Sequence, residues 1–176
     1  MPDILDKLRG GDRRQIGRAE EVAREIADDP KLFSKVFVGM LDDDALVRMR
    51  AADAVEKATR EYPQLLQPYK RKLLLQISNV NQQEVRWHVA QILPRLRLTA
   101  NKRDCAVSIL LEYLNDKSSI VKTFSMQALA DFAEQSPRLQ RQVVPILEGL
   151  TQTGSPAMRS RGRKLLAKLQ KQGGDT

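Results

Sequence analysis

Few side chains in this 176-residue sequence could do chemistry, and they set its limits first. There is one histidine, His88, and one cysteine, Cys105. Glu84 and His88 stand four residues apart, so on a helix they share a face. A di-iron site takes two such carboxylate–imidazole pairs and a zinc finger takes four ligands, so neither can be assembled here. No nucleophile elbow accompanies the lone histidine, which leaves no triad to build. Gly10-Gly11 and Gly173-Gly174 read as turn or terminal glycines rather than a phosphate loop. Cys105 falls on an apolar helix face, the setting of a structural thiol, and it has no partner for an internal disulfide. Aromatic residues make up only 5%, too few to stack around an acid for base capture. The sequence therefore predicts no enzyme, no cofactor, no metal and no small-molecule substrate.

What remains is binding. The net charge of +8 is uneven: residues 1–60 carry 12 basic and 13 acidic side chains, 61–120 carry 9 and 5, and 121–176 carry 9 and 4. A basic C-terminal two-thirds fits an acidic protein, nucleic acid or an anionic surface. The N-terminus, Met1-Pro2-Asp3-Ile4-Leu5-Asp6, is acidic where a signal peptide is basic, and no run approaches the ~20 apolar residues of a membrane span. A cytoplasmic protein is expected.

The elements that would position these residues come from an internal repeat. Four segments, beginning at Val47, Val85, Val121 and Met158, align without gaps at intervals of 38, 36 and 37 residues. Each places apolar or small residues at offsets 0, 4, 7, 8 and 11, one face of a helix. In the first these are Val47, Ala51, Ala54, Val55 and Ala58; in the fourth, Met158, Gly162, Leu165, Leu166 and Leu169. Offset 4 is small or medium throughout (Ala51, Val89, Ser125, Gly162), which lets two helices approach closely. A second apolar helix precedes each segment, and Asp29-Pro30, Tyr62-Pro63, Ser136-Pro137 and Ser155-Pro156 mark the joints. Residues 3–9 and 13–27 read as an earlier, shorter pair. Pro94 and Pro145 fall inside expected helices, where each should kink its helix. The expectation is an all-α fold of about five antiparallel helix pairs, 1–29, 30–62, 63–99, 100–136 and 137–172, in a single domain, with 173–176 a flexible tail. A short first pair and a polar last helix fit a small repeat array capped at both ends.

Leu41-Asp42-Asp43-Asp44-Ala45-Leu46-Val47-Arg48, followed by Ala51-Ala52 and Ala54-Val55, resembles a HEAT repeat of the armadillo-like α-solenoid class. The resemblance covers roughly residues 30–170 and weakens along the chain: Lys122 stands where Arg48, Arg86 and Arg159 keep the arginine. It implies a right-handed superhelix whose second helices line the concave side, and scaffold or protein-binding roles. It also implies that the arginine after the valine pairs with the turn Asp and ties repeats together.

A 100° step per residue turns offsets 2 and 6 away from the core. Offset 2 holds Met49 and Trp87, and offset 6 holds Asp53, Gln91 and Lys164. Offsets 3 and 10 flank that face with Arg50, His88, Arg161 and Arg95. The expected reading is a non-enzymatic scaffold or adaptor that binds a protein on its concave face. Trp87 and Met49 serve as anchors beside Gln91, and Arg50, Arg95, Arg161 and Lys164 steer an acidic partner. The alternative is sequence-independent binding of a DNA or RNA backbone through the basic C-terminal two-thirds.

Overall fold

Apolar residues recurring every three to four positions must be buried on one helix face, and a single helix pair cannot bury that face alone. The computed structural model, which describes residues 3–12, 14–15 and 17–173, resolves the demand with helices and no strand among those residues. The α-helices are α1 (Ala19–Asp28), α2 (Phe33–Val38), α3 (Ala45–Glu61), α4 (Lys70–Leu75), α5 (Gln83–Ile92), α6 (Ala100–Tyr113), α7 (Ser119–Ala133), α8 (Pro137–Thr153) and α9 (Pro156–Gly173). They fall into two compact units, Met1–Arg97 and Leu98–Thr176.

In the first unit α1, α3 and α5 pack side by side, with the α2 and α4 segments laid against them. Those two first helices are short. A 3-10 turn at Pro30–Leu32 leads into α2 and another at Gly39–Leu41 follows it; Pro63–Tyr69 and Ile77–Asn79 flank α4 in the same way. Pro68, inside the Pro63–Tyr69 turn, removes a donor that a continuous α-helix would need, whereas Pro30 and Pro63 open their turns at the first position, where no donor is needed. Pro94 likewise ends a helix rather than kinking one: α5 stops at Ile92 and Pro94 lies in a 3-10 turn, Leu93–Arg95. Pro145, by contrast, sits inside the continuous α8.

The expected pair at the N-terminus is only half helical. Residues 4–8 form a 3-10 turn, and the helix expected from residue 13 starts at Ala19. Gly10, Gly11 and Gly17 all have positive φ, a backbone no right-handed helix continues through. Positions 13 and 16 lie outside the described residues, as do 174–176, so of the tail expected over 173–176 only Gly173 is described, as the last residue of α9.

In the second unit α6 packs on α7, α8 on α9, and α7 lies against both α8 and α9. The five repeat offsets are buried in all four segments except at Leu166, which is half-buried. The small residue at offset 4 has a visible reason in α9. A Cβ on Gly162 would sit 1.9 Å from Thr151 Oγ1 and 3.1 Å from Thr151 Cβ, so α8 and α9 approach at a distance only glycine permits. Gly162→Ala would gain about 1 kcal/mol of helix propensity. The clash with Thr151, whose hydroxyl is already bonded to Leu147 O at 2.6 Å, should cost up to about 3 kcal/mol, for a net loss of up to about 2 kcal/mol. Urea unfolding should show that net loss, and Thr151→Ala added to it should recover part; a variant as stable as the parent would contradict the close packing.

Candidate functional site

Second helices set side by side must be joined along their edges, and the residues at those edges decide what is left to face a partner. Arg50, on α3, is 2% exposed. Its Nη1 donates to the carbonyls of Leu8 (2.9 Å) and Gly10 (2.6 Å), Nη2 to that of Asp12 (3.0 Å) and Nε to that of Gln15 (3.3 Å). Gly17 closes over the same guanidinium, where a Cβ would come within 2.8 Å of Cζ and Nε. The loop that crosses from the first turn to α1 is thus wrapped around one arginine. Arg50 does not steer a partner, because its donors are spent on that loop.

Arg95 is also taken up. It reaches across to α3, donating through Nη1 to Glu56 O (2.6 Å) and Thr59 Oγ1 (2.9 Å) and through Nη2 to Glu56 Oε1 (2.5 Å). Burial pushes the Glu56 carboxyl up, but the hydrogen bonds from Arg60 and Arg95 outweigh it and hold the group below its usual value. Arg48 ties the turn instead of pairing with an Asp side chain: it donates to the carbonyls of Asp42 (2.8 Å) and Asp43 (3.1 Å) and to Gln82 Oε1 (2.8 Å). Gln82 answers with a bond to Ala45 O, which joins consecutive repeats.

Offset 2 is treated differently. Met49 and Trp87, on neighbouring helices, are both half-buried and line one pocket of about 330 Å³ with Arg14, Gln15, Arg50, Asp53, Glu84 and His88. The loop held by Arg50 therefore forms one wall, and α3 and α5 form the rest. Gln91 is half-buried one turn on from Trp87, but its amide is turned to its own helix, bonding Trp87 O at 3.2 Å. Asp53, expected to point outward, is buried at the seam, where Lys57 pairs with it at 2.8 Å. His88 Nε2 lies 3.8 Å from Asp53 Oδ1, too far for a hydrogen bond. Burial lowers the His88 pKa to about 4, against the opposing pull of Asp53 and Glu56, so the ring is neutral at pH 7. The pocket offers an apolar floor of Trp and Met with polar walls. No serine, threonine or cysteine lines it, and its one imidazole is a weak base. Among the described residues no cluster of ligating side chains could hold a metal ion. Cys105 is half-buried on α6.

Arg161 and Lys164 belong to the second unit. Arg161 repeats the seam role at offset 3, donating to Gln127 Oε1 at 2.7 Å, whereas Lys164 is exposed. What the sequence pattern did not reveal is the loop wall, Arg14 and Gln15: the helix expected over 13–27 runs through Gly17, and three glycines within eight residues (10, 11 and 17) were the signal available.

A family model described as a HEAT repeat domain matches residues 7–169. No curated protein is similar enough to the chain to give a match.

The buried His88 fixes a sign for pH dependence. Its folded pKa of about 4 lies below the ordinary 6.5, so between those values the unfolded chain takes up a proton that the folded one refuses. The stability this residue supplies is whole above pH 6.5 and drains away as the pH falls toward 4, with a ceiling of about 3 kcal/mol. Urea titrations across that window should show a shallower loss for His88→Gln than for the parent. Parallel curves would mean that the imidazole is not held neutral by burial.

Proposed function

Because the chain belongs to the HEAT-repeat family, we propose that it is a non-enzymatic scaffold or adaptor, and that it takes a protein partner at the pocket of the first unit. One observation carries the reading. The only tryptophan and a methionine, one repeat apart, share a pocket of about 330 Å³ and are neither buried in the core nor tied to neighbours by polar bonds. A large, stiff ring beside an adaptable thioether is what a binding hot spot uses. Arg14 and Gln15 rim the pocket and shield it from water once it is filled. The partner supplies an apolar or aromatic side chain to lie against Trp87 and Met49.

Steering of an acidic partner cannot come from Arg50 or Arg95, whose donors are engaged within the fold. Gln91 serves by holding the backbone beneath Trp87. The non-enzymatic part of the reading rests on the repeat family to which the chain belongs. Among the described residues no helix is long and apolar enough to cross a membrane. A cytoplasmic setting, which a single cysteine with no disulfide partner in the chain fits, is part of the same proposal.

The test is a comparison of the full chain with Trp87→Ala and Met49→Ala, first as bait for partners and then by titration against the protein recovered. Trp87→Ala should weaken that complex by about 2 kcal/mol, close to thirtyfold, and Met49→Ala by less. Recovery of the same proteins at unchanged affinity by Trp87→Ala would remove the pocket from the account.

A further inference from the structure

The second unit carries a surface that the partner pocket does not use. Helix α9 contains Arg159, Arg161, Arg163, Lys164, Lys168 and Lys171 and not one acidic residue. Two of these cations are engaged at the seam with α7: Arg161 with Gln127, and Lys168 with Glu134 at 2.5 Å. The other four, Arg159, Arg163, Lys164 and Lys171, are exposed, and none makes an ion pair or side-chain hydrogen bond within the described residues. We propose that this face of α9 binds the phosphate backbone of double-stranded nucleic acid without reading its sequence.

The geometry favours that ligand over the other polyanions. From Arg159 to Lys171 the helix rises about 18 Å, a length over which duplex DNA presents about ten phosphate charges. At the start of α9 lies a pocket of about 250 Å³, lined by two further cations, Lys117 and Lys122, and by the hydroxyls of Ser119 and Ser155, 2.8 Å apart. An anionic membrane would be met by apolar side chains that insert beside the charges. Met158, Leu165 and Leu169 of α9 are instead buried in the unit; of the large exposed apolar residues Val38, Tyr62 and Leu75 lie in the first unit, and Ile120 alone, at the start of α7, is too little to anchor a membrane. A single strand is held by bases stacked on exposed aromatic rings; in this unit Tyr113 and Phe132 are buried and Phe124 is half-buried. An acidic protein would need a desolvated anchor, and this face of α9 offers only charge.

The experiment is fluorescence anisotropy of a labelled, mixed-sequence duplex of about 20 base pairs, titrated with the full chain at salt between about 50 and about 200 mM. The triple variant Arg159→Gln, Arg163→Gln, Lys164→Gln changes only exposed side chains, and circular dichroism verifies its fold. It should bind at least about tenfold more weakly at the lower salt, with a log–log salt slope shallower by about 3. Lys102→Gln with Arg141→Gln removes exposed cations from α6 and α8, and should cost no more than about threefold. The proposal is overturned if the parent chain does not bind duplex at the lower salt or the triple variant binds as the parent does. It is equally overturned if the control pair loses as much as the triple, or if polyglutamate binds more tightly than the duplex.

Discussion

A stretch of chain with no helix of its own keeps a fixed shape only if something else satisfies its backbone carbonyls. In the first unit that something is the guanidinium of Arg50. It is a charge taken out of water, and among the described residues its hydrogen bonds go not to a carboxylate but to the carbonyls of residues 8, 10, 12 and 15, which replace its hydration. Charge and loop need each other. Without the carbonyls the buried cation would be expelled, and without the cation four acceptors would face inward with no donor. Gly10, Gly11 and Gly17 supply the left-handed turns that let the chain wrap so closely. The wall of the Trp87 pocket exists because of that exchange.

The same constraint sorts the cations of the whole chain. An arginine at the edge of a second helix lies where the neighbouring helix packs, so it is drawn into the seam and bonded there. Arg50, Arg95 and Arg161 all follow this rule, with carbonyls, a carboxylate or an amide as their acceptors. A cation two or three residues from a seam residue is turned to another side of the helix and escapes it. Arg159, Arg163 and Lys164 are neighbours in sequence of the seam residue Arg161, yet they face solvent. Net charge alone therefore says little about what a helical-repeat protein binds; what counts is the charge left over once the seams are made.

Much of the architecture was legible in the sequence because burial of the core offsets is dictated by helix geometry alone. Ala51, Val89, Ser125 and Gly162 are small for the reason their spacing implies, and Gly162 shows the limiting case. The site was only half legible. Periodicity gives a residue's angle from its own core, but a repeat helix has neighbours on both sides, and those neighbours bury offset 3 in the first unit, half-bury it in the second and bury Asp53 at offset 6. That is why Arg50, His88 and Asp53, expected to flank or face the groove, are at the seam, while Met49 and Trp87 keep a half-exposed position. The prolines at 30 and 63 marked the joints, but neither the 3-10 segments at Gly39–Leu41 and Ile77–Asn79, which hold no proline, nor the course of residues 9–18 was legible. It depends on a side chain more than thirty residues away, and no local pattern encodes that.

The division of the cations into seam residues and free ones is the claim from which both binding surfaces follow, and arginine-selective modification reads it directly. Limited treatment of the native chain with phenylglyoxal, followed by mass mapping of the modified sites, reports the accessibility of each guanidinium in one experiment. Arg159 and Arg163 should react fastest, Arg95 slowly, and Arg50 only after unfolding. Modification of Arg50 in the folded protein at the rate of Arg159 would contradict the account.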